Sequence, residues 1–253
     1  MMIPRVQREK LEVFVLETRA QTGAASAARF AERLRGAIAA RGQAAAIFAS
    51  APSQDEFLAA LVEMDVQWGK VTAFHMDEYV GIAGDHPASF RRYLREHLID
   101  RVGIGAFHEL QGDAADPETE CARYARLLTE AQPAVVALGI GENGHLAFID
   151  PPVCDFEDLQ DVRMVELDDV CRMQQVHDGC FASFEDVPQR ALSMTIPVFM
   201  RTPHAVVTVP GPAKARAVHA ALNGPVTEAC PASILRRHAD AGLFLDRESA
   251  QWI

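Results

Sequence analysis

Short apolar runs alternate along the chain with longer segments in which apolar residues recur at helical spacing. We predict that the apolar runs are strands, at residues 11–16, 44–49, 71–76, 134–140, 205–209 and 243–245. The segments of helical period cover residues 24–40, 53–62, 88–99, 117–130 and 212–222. Apolar runs almost free of polar side chains are typical of strands that are buried on both faces. The alternation therefore predicts an α/β fold: a three-layer, Rossmann-like, mostly parallel sheet with helices on both faces.

Local signals mark some ends of these elements. Gly42 follows the first helical segment, as expected of a residue that closes a helix, and Ser53 is a candidate N-cap for the second. Residues 150–161 contain two prolines and many acids, and we predict a loop there. Because no repeat, low-complexity stretch or linker interrupts the pattern, we expect one domain over residues 1–253.

Charge and composition narrow the classes of partner. The chain has 24 Lys plus Arg against 35 Asp plus Glu, a net charge of −11, which argues against duplex nucleic acid and against an anionic membrane surface. No run reaches the roughly 18 apolar residues of a membrane span. In the N-terminal segment, Glu12 and Glu17 bound too short an apolar stretch for a signal peptide, so we expect a cytoplasmic protein. The five widely spaced cysteines indicate neither disulfides nor a zinc site, and we expect buried or idle thiols.

Polar residues follow several predicted strands, and ligands of parallel sheets bind at the carboxyl ends of strands. The segments concerned are 50–54, 77–79, 141–150 and 210–214. Residues 139–144 fit the glycine pattern of dinucleotide-binding proteins, but the helix that should begin there is excluded by the Asp-Pro-Pro at residues 150–152. The glycines are better explained by tight turning.

Each polar group taken alone has an ordinary structural explanation. Asp77 and Glu78 can be a solvated strand end, although a carboxylate at the rim of a buried strand can have the raised pKa of a base. His145 can bond a loop carbonyl, and Lys214 can be a solvated lysine in the first turn of a helix.

Two separated sequence motifs contain Asp77, Glu78 and His145 and together point to one kind of site. Residues 74–81 read FHMDEYVG, and residues 139–151 read GIGENGHLAFIDP. In this order and with these strand contexts, they closely resemble the glucosamine-6-phosphate deaminase (isomerase) family, which shares its fold with 6-phosphogluconolactonase. The similarity extends from about residue 20 to about residue 245 and includes Lys214 after a strand.

The resemblance implies a reaction and a set of roles. The family opens the ring of an amino-sugar phosphate, moves a proton between C2 and C1, and releases ammonia, with no metal or other cofactor. Asp77 matches the proton acceptor and His145 the group that shuttles the ring-opening proton. Asp150 stands where the family usually has Glu and can still orient His145. Asn143 stands where many members have Asp, and an amide can position but not titrate.

The phosphate site departs from the family pattern. Its Gly-Gly-Thr loop is replaced here by SAPSQ at residues 50–54, in which Pro52 has no N–H to donate. No arginine of this chain aligns with the one that the family uses after the acidic loop, and Arg172 and His177 are the candidates to serve instead. The implied substrate-binding residues are Ser50, Ala51, Ser53, Gln54, Glu78, Gly141, Gly144, Arg172, His177 and Lys214.

Two other functions are compatible with the sequence. A 6-phosphogluconolactonase would share the fold, but that family usually has Arg after Asp-Glu and Asp before Gly-His, where this chain has Tyr79 and Asn143. A non-catalytic sugar-phosphate-binding protein would not need the base and the proton shuttle. A small sugar phosphate is the expected partner, a homo-oligomer is possible, and the preferred amino sugar is left open.

Overall fold

The computed structural model describes residues 5–253, and for Arg5 the backbone alone. Residues 1–4, the start of the N-terminal segment considered as a leader, lie outside the described residues. The strands in the described part are β1 (Arg5–Arg8), β2 (Leu11–Leu16), β3 (Ala44–Phe48), β4 (Val71–His75), β5 (Asp77–Tyr79), β6 (Ala106–His108), β7 (Val135–Leu138), β8 (Val162–Glu166), β9 (Arg190–Met194), β10 (His204–Val209) and β11 (Ala241–Asp246). The helices there are α1 (Arg19–Arg41), α2 (Asp55–Leu61), α3 (Phe90–Leu94), α4 (Asp100–Val102), α5 (Pro117–Ala131), α6 (Asp169–His177), α7 (Ile196–Arg201) and α8 (Ala215–Asn223). A π turn at Arg95–Ile99 joins α3 to α4.

Eight strands form the main sheet in the order β1-β2-β11-β10-β7-β3-β4-β6. Neighbouring strands are parallel except for the β1–β2 pair. The remaining strands form a small antiparallel sheet in the order β5-β9-β8. The predicted mostly parallel α/β fold is thereby confirmed.

Two apolar cores cover the opposite faces of the main sheet. Side chains alternate along β3, so that Ala45 and Ile47 belong to one core while Ala46 and Phe48 belong to the other. The second core is closed by α1 and α2, and the first by α5, α8 and the small sheet. Burial on both faces explains why β3 is almost continuously apolar.

The direction of chain travel across the sheet reverses between β3 and β7. The chain passes from β3 through β4 to β6 at one edge, then returns to β7 and continues through β10 to β11 on the other side. The loops that leave β3 and β7 therefore part in opposite directions and open a crevice at the carboxyl end of the sheet.

The predicted elements agree with the structure best in the first half of the chain and near the C-terminus. Gly42 closes α1 in a left-handed conformation with φ 79°, as predicted. Ser53 is not an N-cap, because it lies within the 3-10 turn Pro52–Gln54 that precedes α2. The prediction lacked β1, β5, β6, β8, β9, α6 and α7, which are short and mostly lie between residues 160 and 202. In residues 5–253, no helix combines the length and apolarity that crossing a bilayer requires.

Candidate active site

A narrow cleft lies at the carboxyl ends of β3, β4 and β7. Its lining includes five of the predicted binding residues and both central catalytic candidates, namely Ser50, Ala51, Ser53, Gly141, Lys214, Asp77 and His145. The cleft is open to solvent on one side, and the space within it that a water molecule can occupy measures about 60 Å³. A roomier groove of about 500 Å³ near Pro133 and Pro203 lies at the amino end of the sheet, away from these groups.

Asp77 begins β5 and faces the cleft with only 7% of its surface exposed. Burial, followed by the charge of the adjacent Glu78, raises the pKa of Asp77 well above the usual 3.8. A carboxylate with a raised pKa is a stronger base than an ordinary aspartate. The position thus suits proton abstraction from a bound molecule.

His75, the last residue of β4, holds the backbone of Asp77. Its Nδ1 lies 2.9 Å from the Asp77 carbonyl oxygen, and its Nε2 accepts a hydrogen bond from the Leu110 amide at 2.8 Å. Since Nε2 accepts, the ring proton belongs on Nδ1. Burial lowers the pKa of His75 to about 3, so the ring is neutral. The first motif contains His75, but no role was predicted for it. Its partner Leu110 is 35 positions away, so the local pattern showed no sign of this contact.

Glu78 points away from the cleft. Its carboxylate accepts hydrogen bonds from the Ser89 hydroxyl at 2.8 Å and from the amides of Phe90 and Arg91 at 3.2 Å, and it pairs with the Arg91 guanidinium. These groups lie at the start of α3, where a carboxylate is favoured by the helix dipole. The structure therefore places Glu78 as an anchor for α3 rather than beside a ligand.

The imidazole edge of His145 that carries Cε1 and Nε2 packs against the backbone of Gly141 in the loop after β7. A Cβ on Gly141 would lie 2.1 Å from both Cε1 and Nε2 of the imidazole, which only glycine avoids. Gly144, with φ 88°, forms the turn that brings the chain back, and its amide bonds the Gly141 carbonyl. Turns follow β7 where a dinucleotide-binding protein would begin a helix. The glycines of this motif thus shape a cradle for the histidine.

Asp150 and Asn143 fix the other side of the imidazole. Oδ1 of Asp150 is 3.0 Å from Nδ1 of His145, and Nδ2 of Asn143 donates to the same oxygen at 2.9 Å. Oδ1 of Asn143 accepts from the His145 amide at 3.1 Å, and the Asp168 amide donates to Oδ2 of Asp150. Burial alone would raise the pKa of Asp150, but contact with His145 and the N–H donors outweighs it and lowers the pKa. Asp150 therefore stays ionised beside the imidazole.

Lys214 supplies a positive charge to the cleft from the turn after β10. The side chain is 6% exposed, and no acceptor within residues 5–253 bonds its ammonium group. Burial lowers the pKa of Lys214, while Asp178 and Glu142 oppose that effect. The Ser50 hydroxyl also faces the cleft, buried and without a partner among the described residues. An unpaired cation and an unpaired hydroxyl in one cleft are suited to an anionic ligand.

Three other predicted binding residues lie outside the cleft. Gln54 is buried behind it and ties the loop after β3 to β10 through a 3.1 Å bond to the Thr208 carbonyl. The Arg172 guanidinium lies 3.9 Å over the Phe184 ring and donates to backbone carbonyls there. His177 is 58% exposed and 3.6 Å from Glu142. None of the three side chains reaches the cleft in this conformation.

Gln174 and Gln175 of α6 line the cleft and were missed. Gln174 accepts from the Glu142 amide at 2.8 Å, and Gln175 accepts from the Tyr79 hydroxyl at 2.6 Å. The segment DVCRMQQVH carried a usable signal, because Asp168 is a good N-cap and the glutamines follow one helical turn after a cysteine. The contribution of α6 to the cleft is thus neutral amides rather than an arginine.

The sequence of the chain is similar to those of known proteins. Residues 17–244 match the model described as glucosamine-6-phosphate isomerases/6-phosphogluconolactonase. A glucosamine-6-phosphate deaminase of Listeria monocytogenes serotype 4a (strain HCC23) is 36% identical over 202 residues, which cover 80% of this chain and 84% of that protein. A deaminase of the same name from Streptococcus sanguinis (strain SK36) is 34% identical over 79% of this chain and 83% of that protein.

Solved structures agree with the sequence comparison. A monomeric glucosamine-6-phosphate deaminase superposes with a TM-score of 0.87 at 26% identity, over 95% of this chain and 99% of that chain. A 6-phosphogluconolactonase of Shewanella baltica OS155 superposes with a TM-score of 0.76 at 18% identity, over 95% and 99%, which is a likeness of fold alone. The resemblance seen in the two motifs is confirmed, and the chain belongs to the glucosamine-6-phosphate isomerase/6-phosphogluconolactonase family.

Proposed function

We propose that this protein is a glucosamine-6-phosphate deaminase, which converts glucosamine 6-phosphate and water into fructose 6-phosphate and ammonia. The observation that carries the proposal is the convergence of Asp77, His145 and the unpaired Lys214 on one cleft. Relatives at about 36% identity bear this name. A base, a proton shuttle and a cation are the groups that the reaction needs.

Ring opening is assigned to His145. The imidazole takes the proton of the anomeric hydroxyl and returns a proton to the ring oxygen as the C1–O bond breaks. Asp150 holds the ring from the Nδ1 side and stabilises the charge that the imidazole carries in between. Asn143 keeps the loop and the carboxylate in place without exchanging protons, because its oxygen and nitrogen are both engaged.

Isomerisation and deamination are assigned to Asp77. Its carboxylate removes the proton from C2 of the open-chain sugar and delivers it to C1, which leaves an iminium group at C2. Water adds to that carbon, and ammonia leaves to give the ketose. The buried setting that raises the pKa of Asp77 strengthens it as a base.

The phosphate is assigned to the Lys214 side of the cleft. The ammonium group and the hydroxyls of Ser50 and Ser53 supply the donors there, whereas Pro52 lacks an N–H. This side carries a single formal positive charge, whereas the protein as a whole has a net charge of −11, which repels an anionic substrate at long range. Binding must then depend on short-range donors rather than on the field of the whole protein.

The competing function is hydrolysis of 6-phosphogluconolactone. The family model covers both activities, but Tyr79 and Asn143 replace residues typical of the lactonases. A direct assay separates the candidates: purified protein is given glucosamine 6-phosphate or 6-phosphogluconolactone, and ammonia and lactone loss are followed. Ammonia release supports the proposal, lactone turnover without ammonia overturns it, and binding without any turnover favours a sugar-phosphate-binding protein.

A further inference from the structure

A set of metal-ligating atoms lies behind the imidazole of His145, on the side away from Gly141. Nδ1 of His145, a carboxylate oxygen of Asp150 and Sγ of Cys171 all lie within 4.8 Å of one another. The nitrogen and the oxygen are 3.0 Å apart, and all three residues are buried. We propose that these three side chains form a binding site for a soft divalent cation such as Zn²⁺, and that occupation of the site silences His145.

The way the three donors face one another is the observation that points to a ligand. Nδ1 of His145 is buried and lies 3.0 Å from Oδ1 of Asp150, an oxygen that also accepts from Nδ2 of Asn143. The buried thiol of Cys171 reaches the same place from α6. A ring nitrogen, a carboxylate oxygen and a thiol sulfur held this close together are a ready set of metal donors.

The chemistry of the donor set selects the metal. Imidazole, thiolate and carboxylate together are ligands that zinc accepts, whereas Mg²⁺ and Ca²⁺ prefer oxygen alone. One thiolate and one carboxylate balance the two charges of the cation, so the buried site would be neutral as a whole. Three protein ligands leave a fourth tetrahedral position for water.

Binding involves a defined movement of protons. The thiol proton of Cys171 is released to solvent as the Zn–S bond forms, and the single proton of the neutral imidazole resides on Nε2 while Nδ1 binds the metal. With a proton on Nε2, the imidazole can no longer accept one from a sugar hydroxyl. This inhibitory consequence rests on the proposed function, whereas the binding site itself does not.

The binding site is tested with Co²⁺ as a spectroscopic probe on the full-length protein. A thiolate–cobalt charge-transfer band in the near ultraviolet should grow until a single equivalent is bound and should disappear when Zn²⁺ is added. Cys171→Ser and Cys171→Ala should lose the band, and Cys121→Ser, at a second buried cysteine on α5, should keep it. Cooperative thermal unfolding of each variant shows that it has folded. A band that persists in both Cys171 variants, or that is absent from the parent protein, overturns the proposal.

Inhibition is tested separately by ammonia release in the presence of Zn²⁺. The parent protein and Cys121→Ser should be inhibited at concentrations at least about tenfold below those needed for Cys171→Ala, and a chelator should restore activity. Equal sensitivity of all three proteins places the inhibitory metal elsewhere and removes the inhibitory role. A protein that forms the band but releases no ammonia without metal keeps the metal site and fails the proposed function. One that releases ammonia but forms no band does the reverse.

Discussion

Replacing Lys214 by methionine separates the role of this residue in binding from its effect on stability. Methionine keeps the unbranched shape of the side chain and removes its charge. In the free protein the ammonium group is buried with no bonded acceptor among residues 5–253, and burial lowers its pKa. We therefore expect Lys214→Met to weaken substrate binding and to stabilise the fold at the same time.

The size of both effects follows from these surroundings. A hydrogen bond to a charged group contributes about 1.5–3 kcal/mol, and each 1.4 kcal/mol is roughly a factor of ten. The KM for glucosamine 6-phosphate should thus rise about 10- to 100-fold, with kcat changed little because the chemistry occurs at C1 and C2. Removing a buried charge that has no bonded acceptor and that Asp178 and Glu142 offset only in part should increase the free energy of unfolding by on the order of 1 kcal/mol.

The assay is steady-state ammonia release over a range of glucosamine 6-phosphate concentrations, together with thermal unfolding. Lys70→Met is the matched control, since Lys70 is exposed and far from the cleft, and it should leave KM unchanged. An unchanged KM in Lys214→Met would place the phosphate elsewhere. A raised KM with a loss of stability would show instead that the variant disturbs the turn after β10.

Three further changes test the remaining roles. Asp77→Asn should abolish ammonia release while substrate binding persists, and should increase the free energy of unfolding at neutral pH, because the raised pKa of Asp77 means that its ionised form disfavours folding. For the same reason kcat/KM of the parent protein should fall as pH decreases through a value well above 3.8, and an acidic limb at the ordinary aspartate value would contradict the assignment. Gly141→Ala should lower ammonia release at least about tenfold, because the new Cβ would lie 2.1 Å from the imidazole; Gly36→Ala, where nothing lies within 4 Å, is the control that should stay active. His75→Leu should lower kcat more than KM by freeing the Asp77 carbonyl, with partial recovery in His75→Asn, which retains a donor; equal kcat in the two variants would remove His75 from a positioning role.

The main sheet could be predicted from the local pattern of apolar and polar residues. The strands from β2 to β11 that cross its centre are short apolar runs, and the helices between them have strong periodicity and clear ends such as Gly42. Both properties depend on neighbours within a few positions, so they are readable from the chain alone. The strands between residues 160 and 202 were missed, because β9 pairs with β5, which lies far away in sequence, and β8 pairs in turn with β9.

The sequence by itself determined the fold class, the family and the two motifs that bring Asp77 and His145 to the ends of strands. The tertiary structure decided which of the ten predicted binding residues reach the cleft, because side-chain direction depends on partners that are distant in sequence. Glu78 turns towards α3 because the helix start and Arg91 offer it donors. Arg172 turns to Phe184 and leaves the cleft to Gln174 and Gln175. Lys214 alone among the predicted cations enters the cleft, because it follows β10, the strand beside β7, at the carboxyl edge of the sheet where the crevice opens.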